Sequence, residues 1–342
     1  MAEPPPLLAV DNLRTYFATE AGVAKAVDGV SFSISAGKTL AVVGESGCGK
    51  TVTALSILQL VPMPPGRFES GEIRFRGKNI LGLPARELRK LRGGDIAMIF
   101  QEPATSLNPV FTIGDQVGEA IRLHRPEVPR GKIREEVLKA LKSVQVSDPE
   151  RRLDQYPHEM SGGMKQRIMI AMALACKPEL LIADEPTTAV DVTIQARILD
   201  LLRDIQAEHH MAILLITHDL GVVAELADDV VVMYAGKVIE QAPVHELFDN
   251  PRHPYTLGLF ASLPRVDEKK SRLETIEGSV PPATHFPTGC RFRERCKWAG
   301  PECVKEPPLL QIGAEHGVAC WYHDVIASQR AASPQIASSG AK

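Results

Sequence analysis

Several features are scarce in this sequence, and each absence excludes a class of protein. The chain has 342 residues, of which only 5% are aromatic, so aliphatic side chains must form most of the core. Its longest apolar runs, Ile168–Cys176 and Met211–Ile216, are far shorter than the roughly 18 residues of a bilayer-spanning helix. Neither sign of charge dominates, because 39 Lys and Arg residues accompany 42 Asp and Glu residues. This balance argues against a strongly basic nucleic-acid-binding protein.

Secretory features are also missing. The first residues, Met-Ala-Glu-Pro-Pro-Pro, have neither the basic segment nor the apolar segment of a signal peptide. We therefore expect a reducing, cytosolic compartment, in which disulfides are rare. The length predicts about two domains. Four of the six cysteines are concentrated near the C-terminus, at Cys290, Cys296, Cys303 and Cys320.

Strand and helix patterns alternate along the chain. The sequence predicts strands at Leu7–Val10, Ala26–Val27, Val30–Ile34, Thr39–Val43, Gly71–Phe75, Leu180–Ala183, Ile213–Thr217 and Val230–Met233. Helical periodicity runs from about residue 103 to 175, clearest at Ile133–Val144 and Met164–Ala175, and returns at Ile194–His209. The alternation predicts an α/β core with a mostly parallel sheet. Prolines become frequent after Asn250, which predicts an irregular appendage, and the last dozen residues are expected to be disordered.

The strongest motif is a glycine-rich loop between the strand Thr39–Val43 and a helix predicted over Thr51–Leu60. It fits G-x-x-x-x-G-K-[ST] with Gly44, Glu45, Ser46, Gly47, Cys48, Gly49, Lys50 and Thr51. Glycines let backbone N–H groups surround phosphates, and a helix N-terminus adds partial positive charge. The motif therefore predicts that Lys50 reaches the β- and γ-phosphates of a nucleotide and that Thr51 holds Mg²⁺. We interpret Cys48 as a tolerated small residue rather than a redox sensor.

A carboxylate pair follows the apolar strand that begins at Leu180. Asp184 stands at the end of this strand and suits a Mg²⁺ partner, while Glu185 is suited to polarise an attacking water. Such a pair alone would be weak evidence, since carboxylates often cap a following helix. Together with the phosphate loop, it favours phosphoryl chemistry.

The four clustered cysteines have the spacing C-x₅-C-x₆-C-x₁₆-C. Zinc knuckles and the bacterial ferredoxin pattern use shorter spacings, so the spacing alone leaves a metal or cluster site and four buried thiols equally open. The proline-rich segment around them has little core of its own, which favours a cross-link.

A further set of motifs resembles the ATPases of ABC transporters. The segment Met160–Arg167 resembles their signature, with Ser161, Gly162 and Gly163 intact and with Met160 and Met164 as departures. The resemblance also implies that Gln101 is the Q-loop glutamine, that Ala189–Asp191 is the D-loop (with Val190 as a departure) and that His218 is the switch histidine. It further implies that Phe17 (less favoured, Tyr16) stacks on adenine and that Thr53 is a further nucleotide contact.

Several functional assignments follow from this resemblance. Thr51, Gln101 and Asp184 are implied as Mg²⁺ ligands, and Glu185, His218, Gln101 and Lys50 as catalytic residues. Two cassettes of this family dimerise head-to-tail, so that each signature closes on the ATP of its partner. Ser161 would serve there as a phosphate contact, or simply as the N-cap of the helix at Gly162–Ala175; the two roles are compatible. The implied fold is a P-loop (RecA-like) cassette with antiparallel β and helical subdomains, followed by a small irregular cysteine-containing domain.

The segments Phe100–Pro109, Ser161–Leu174 and Ala183–Gln195 narrow the resemblance to the ATPases of dipeptide/oligopeptide permeases, as does His253–Thr256 before the cysteines. Members of that family hold a [4Fe–4S] cluster on four such cysteines, which implies the same here, with Zn²⁺ as the second choice. The implied partners are a companion ATPase that is a different chain, two membrane permease subunits and an external solute-binding protein. We expect a peripheral location at the cytoplasmic face of the inner membrane.

The expected domains are an ATPase cassette at 1–250, the cysteine-bearing extension at 251–330 and a disordered tail at 331–342. Alternative functions are the import of nickel or opines and, less favoured, a non-transport role of a soluble ABC ATPase. A GTPase or kinase would not need the Ser-Gly-Gly signature, and no Asn-Lys-x-Asp guanine motif occurs in the sequence.

Overall fold

The computed structural model describes residues 5–101, 106–187, 192–262 and 276–332. The chain forms two compact units that are interleaved in sequence. The first contains Met1–Leu7, Ile34–Thr39 and Arg76–Ile216, and the second contains Leu8–Ser33, Leu40–Phe75 and Thr217–Lys342.

The strands and helices are numbered in chain order. The strands are β1 Leu8–Thr19, β2 Gly22–Ile34, β3 Thr39–Val43, β4 Gly66–Phe75, β5 Lys78–Asn79, β6 Ile96–Ile99, β7 Leu180–Asp184, β8 Ala212–Ile216, β9 Asp229–Tyr234, β10 Lys237–Pro243, β11 Leu310–Gln311 and β12 Gly317–Val318. The helices are α1 Lys50–Ile57, α2 Ala85–Leu91, α3 Ile113–His124, α4 Ile133–Ser143, α5 Pro149–Arg152, α6 Gly162–Leu174, α7 Val192–His209, α8 Leu220–Leu226, α9 Val244–Asp249, α10 Pro254–Ala261 and α11 His323–Ala332.

Parallel strands form the sheet of the first unit, in the order β8-β7-β6. Leu180 pairs with Ala212 on one side and with Ile96 on the other. Every residue of β7 and β8 is buried, as continuous apolar runs in a parallel sheet require. Helix α4 of this unit is amphipathic and buries Ile133, Val137 and Leu141, which are four residues apart.

The second unit combines two kinds of sheet. Strands β2, β1 and β4 are neighbours in an antiparallel sheet, in which Leu8 pairs with Phe75. The other strands have the order β11-β12-β10-β9-β3, with β3 parallel to β9 and β10 antiparallel to it. Their core is aliphatic except for an aromatic group, Tyr234, Tyr255 and Phe292, whose ring centroids lie 4.7 to 5.4 Å apart.

The mostly parallel α/β core is confirmed. The structure differs from the predictions in the limits of some elements and in the presence of others that were not predicted. The segments Ala26–Val27 and Val30–Ile34 form one strand, β2, since Gly29 continues it at a φ of +85°. Strands β6 and β10 had not been predicted, nor had the two-residue strands β5, β11 and β12. The region after Asn250 is less irregular than expected because it contains α10 and α11, and α11 includes the first two residues of the expected disordered tail. The rest of that tail lies outside the described residues.

Candidate functional site

The phosphate loop follows a fully buried strand and ends at the start of α1. Strand β3 has no exposed residue, and α1 begins at Lys50. Two glycines of this loop have close backbone neighbours. A Cβ atom at Gly44 would lie 2.3 Å from the Met233 carbonyl oxygen, and one at Gly49 would lie 2.3 Å from the Ala26 carbonyl oxygen. Both glycines also have positive φ angles, so only glycine suits these positions.

Lys50 is buried inside the curve of the loop, with only 7% of its surface exposed. Its Nζ donates to the carbonyl oxygens of Gly44 at 2.7 Å and of Glu45 at 3.1 Å. Thr51, by contrast, is exposed, whereas the buried hydroxyl of Thr53 donates to the Gly49 carbonyl at 2.9 Å. Lys50 and Thr51 therefore lie at the start of α1. Thr53 helps to close the first turn of this helix.

The thiol of Cys48 is fully buried beneath the loop. Burial raises the pKa of Cys48, and the nearby charge of Lys50 offsets this only in part. A buried thiol that stays protonated is a poor redox sensor, because the thiolate is the reactive form. The interpretation of Cys48 as a tolerated small residue is therefore supported.

Two aromatic residues of β1 were candidates for stacking on adenine. Tyr16 is buried, and its hydroxyl donates to Asp28 Oδ1 at 2.6 Å. Burial and this carboxylate raise the pKa of Tyr16 to about 12. Phe17 has no polar group to satisfy and remains half-buried. The geometry therefore favours Phe17, since the polar end of Tyr16 is already engaged.

Two predicted catalytic residues of the first unit are in direct contact. Gln101 Nε2 donates to Glu185 Oε2 at 3.0 Å. Glu185 follows the last residue of β7, Asp184, which is buried. The Glu185 backbone has a φ of 49°, and its N–H donates to the Ile216 carbonyl at 2.8 Å. This conformation turns the chain immediately after the strand and leaves the Glu185 side chain only partly buried.

The signature segment also belongs to the first unit. Ser161 is the N-cap of α6, and its Oγ accepts from the Met164 N–H at 3.4 Å. This observation confirms the capping role. Gly162 is exposed, and a Cβ atom there would have no neighbour within 4 Å. Gln166, which is buried in the same helix, donates to the Pro186 carbonyl, so the signature helix is bonded to the segment that follows Glu185.

His218 belongs to the second unit and is exposed. Its neighbour Thr217 donates its N–H to the Val42 carbonyl at 3.3 Å, which holds this segment beside the strand that leads into the phosphate loop. Asp219 then caps α8 by accepting from the N–H groups of Gly221 and Val222. The D-loop residues 189–191 and residues 102–105 after Gln101 lie outside the described residues.

The four clustered cysteines line one cavity of the second unit. The other walls of this cavity are mainly aromatic and proline side chains. All six cysteines of the chain are free thiols. Burial raises the pKa of Cys296 to about 11 and that of Cys320 to about 12.

Four thiols around one cavity are the donor set that a [4Fe–4S] cluster or Zn²⁺ takes. In the described part of the chain, however, no three His, Cys, Asp or Glu side chains lie close enough together to hold a metal ion. The four cysteines supply suitable donor atoms, but the described structure does not bring them together as a metal-binding group.

The site also contains residues that the sequence did not identify. Arg295 Nη1 and Nη2 donate to the two carboxylate oxygens of Glu45 at 2.9 and 3.1 Å. The Tyr255 hydroxyl accepts from the Glu45 N–H at 2.7 Å. The sequence contains one indication of Tyr255, which lies in the segment His253–Thr256. It contains none for Arg295, because nothing in the sequence pairs this residue with the phosphate loop.

Comparison with known proteins defines the class of this protein. Residues 27–188 match the ABC transporter family, and residues 239–303 match the C-terminal region of oligopeptide/dipeptide transporters. The dimeric ATP-binding cassette MJ0796, in a post-hydrolysis state with ADP and Pi, has a TM-score of 0.63 at 26% identity and covers 69% of this chain and 98% of its own. The chain belongs to the family of ABC transporter ATPases, and it is an ATP hydrolase.

Curated relatives extend the similarity over nearly the whole chain. A probable peptide ABC transporter ATP-binding protein of Sinorhizobium fredii is 53% identical, with 92% of this chain and 94% of the relative covered. The dipeptide transport ATP-binding protein DppD of Bacillus subtilis is 49% identical over 93% of this chain and 95% of its own length. Among the described residues, no helix is both long and apolar enough to cross a bilayer.

Proposed function

We propose that this chain is the ATP-hydrolysing subunit of an importer for di- and oligopeptides, located at the cytoplasmic face of the inner membrane. The observation that carries this proposal is the match of residues 239–303 to the C-terminal region of oligopeptide/dipeptide transporters. The names of the relatives in Sinorhizobium fredii and Bacillus subtilis support peptides as the cargo. Nickel and opines are alternative solutes, and a non-transport role is a more distant alternative.

At the nucleotide site, we propose that Phe17 stacks on adenine and that the loop Gly44–Thr51, with its helix N-terminus, binds the phosphates. Lys50 then supplies positive charge to the β- and γ-phosphates, as the buried ammonium inside the loop supports. Thr51, Gln101 and Asp184 are the proposed ligands of Mg²⁺, an ion that neutralises charge developing on the phosphoryl oxygens.

The proposed water-activating group is Glu185. Its carboxylate accepts a hydrogen bond from Gln101, which supports a fixed orientation toward a water molecule. His218 is proposed to contact the γ-phosphate and to help orient that water. Gln101 is also a proposed Mg²⁺ ligand. Movement of its side chain would therefore affect both Mg²⁺ binding and the orientation of the Glu185 carboxylate.

We further propose a head-to-tail dimer with a companion ATPase that is a different chain. Ser161, Gly162 and Gly163 would contact the ATP of the partner, and the exposed surface at Gly162 is compatible with close approach of a phosphate. Two membrane permease subunits and an external solute-binding protein complete the proposed complex. The proposed domain boundary lies near residue 250, between the ATPase cassette and the cysteine-bearing extension.

For the cysteine cavity, we propose a structural [4Fe–4S] cluster held by Cys290, Cys296, Cys303 and Cys320, with Zn²⁺ as the second choice. The supporting observation is that all four thiols line the same cavity. Ligation would require deprotonation of these sulfurs, which a bound metal favours strongly.

The transport proposal can be tested with the complex reconstituted in proteoliposomes. We expect ATP-dependent uptake of di- or oligopeptides, with no uptake when Glu185→Gln replaces the wild-type subunit. Nickel and an opine serve as competing cargoes in the same assay. Uptake of nickel or the opine without peptide uptake would contradict the peptide assignment, and failure of the chain to co-purify with any membrane subunit would contradict the importer role.

A further inference from the structure

The loop between Cys290 and Cys296 carries an arginine that contacts the phosphate loop. Arg295 is the last residue of a short 3₁₀ helix, Arg293–Arg295, and precedes Cys296 directly. Its guanidinium donates through Nη1 and Nη2 to both carboxylate oxygens of Glu45, at 2.9 and 3.1 Å. Paired N–H donors on a carboxylate fix orientation as well as distance. The second residue of the phosphate loop is therefore held in a defined position by a side chain 250 residues away.

The guanidinium of Arg295 is fully engaged by protein acceptors. Its Nε donates to the Glu277 carbonyl at 2.8 Å, and Nη2 also lies 3.3 Å from the carbonyl oxygens of Ile276 and Gly278. Only 8% of the Arg295 side chain is exposed, against 27% of the Glu45 side chain. Because its donors are already committed, Arg295 is poorly suited to bind a phosphate directly. It acts on the loop through Glu45.

The backbone of Glu45 is held as well. Its N–H donates to the Tyr255 hydroxyl at 2.7 Å, and its carbonyl accepts from Lys50 Nζ at 3.1 Å. Tyr255 is fully buried and packs against Tyr234 and Phe292. Three side chains thus hold Glu45 in the phosphate loop: Arg295, Tyr255 and Lys50. The first two belong to the chain beyond residue 250.

We propose that Arg295 and Tyr255 are positioning residues for the phosphate loop and that, by fixing Glu45, they set the affinity of the site for ATP. The inference rests on the proposed role of Gly44–Thr51 in phosphate binding. A loop held in its binding conformation loses less conformational entropy when ATP arrives. Neither residue takes part in water attack, so the Michaelis constant for ATP should change while turnover is conserved.

The test compares ATP binding and hydrolysis by the full-length chain and its variants in the assembled complex. In Arg295→Gln, we expect the Kd and KM for ATP to rise about tenfold, because both hydrogen bonds that fix the Glu45 carboxylate are lost, with kcat within about twofold of wild type. Tyr255→Phe keeps the ring and removes only the acceptor of the Glu45 N–H, so it should cause a smaller rise. Lys297→Gln removes an exposed positive charge from the same segment and is the matched control.

A double-mutant cycle separates positioning from a general loss of structure. If Arg295 acts through Glu45, Arg295→Gln should have little further effect on the Kd for ATP in a Glu45→Gln background. Additive effects, or an unchanged Kd in a folded Arg295→Gln variant, would overturn the proposal. If Arg295→Gln does not fold, Tyr255→Phe and Glu45→Gln decide the question. Absence of ATP binding by the wild-type complex would instead contradict the proposed nucleotide site itself.

Discussion

The side chains of Gln101 and Glu185 form a hydrogen bond of 3.0 Å, although they are 84 positions apart in the chain. Gln101 follows the strand β6 and Glu185 follows β7, and these two strands are parallel neighbours. Both residues therefore leave the sheet at the carboxyl ends of adjacent strands. Ligands of open α/β sheets commonly bind at this edge.

Replacement of Glu185 by Gln should abolish turnover without abolishing ATP binding. The variant keeps the shape and the contact with Gln101 but loses the charge needed to polarise water, so kcat should fall at least about 100-fold. Phosphate release and nucleotide binding are measured on the same preparation, and ATP should trap a closed dimer. Glu208→Gln, which alters an exposed carboxylate outside the site, is the control. Retained hydrolysis in Glu185→Gln would refute its role.

Two substitutions at Ser161 distinguish capping from phosphate contact. Ser161→Ala removes the acceptor of the Met164 N–H and should destabilise the chain by about 1 kcal/mol. Ser161→Asp retains an N-cap but adds a negative charge, so the unfolding temperature should be preserved while dimer-dependent hydrolysis is lost. Thermal unfolding and ATPase activity of the complex measure the two effects. Full activity of a stable Ser161→Asp variant would leave Ser161 with its capping role alone.

His316 should make stability depend on pH. Its imidazole is nearly buried, with Nε2 at 2.9 Å from Glu240 Oε1 and Nδ1 at 3.3 Å from Glu246 Oε1. Burial alone would lower the pKa of His316, but the bonds and charges of the two carboxylates raise it above its usual value. The stabilisation, about 1.5 kcal/mol for a hydrogen bond to a charged group, is therefore complete below the unfolded-state pKa of roughly 6.5.

This stabilisation is lost as the pH rises through the raised pKa of the folded state. The wild-type unfolding temperature should decrease over that range, whereas His316→Gln should lack this component at every pH. His285→Gln alters an exposed histidine and serves as the control. A pH profile of His316→Gln that is parallel to the wild-type profile would show that His316 is not the group responsible.

The proposed [4Fe–4S] cluster predicts a coloured protein. Chain purified without oxygen should be brown and contain iron and sulfide, and Cys290→Ser should lose both the colour and the iron. Cys176→Ser is the matched control, because that thiol donates to the Ala120 carbonyl and does not line the cavity. A colourless preparation with stoichiometric zinc would contradict the cluster and favour the second choice.

The parts of the site that depend on local spacing could be predicted from the sequence. The phosphate loop was identifiable because its glycines, Lys50 and Thr51 are consecutive, and Asp184 and Glu185 because they end an apolar strand. Strand and helix limits were less accurate. The structure has α1 at Lys50–Ile57 rather than Thr51–Leu60, because Gln59 adopts a positive φ of 51° beyond the end of the helix.

Contacts between distant segments could not be predicted. The pairing of Arg295 with Glu45 depends on how the chain beyond residue 250 packs against β9 and the phosphate loop, and one sequence contains no signal for such a pair. The length of β1 was also underestimated, because its second half contains charged and polar residues. This half is nevertheless extended, since residues Arg14 to Phe17 pair with β4. Tertiary pairing overrides local propensity in such cases.

The aromatic group of Tyr234, Tyr255 and Phe292 limits how far this protein can be shortened. Two of its three rings come from beyond residue 250, and Phe292 is 4% exposed. A chain ending near residue 250 would leave the ring of Tyr234 facing water and Glu45 without Arg295. We therefore expect a chain shortened to about residue 250 to be less stable than the full-length chain. Thermal unfolding of truncated chains should show this loss of stability, and a stable fragment should extend beyond Ile326, which is fully buried.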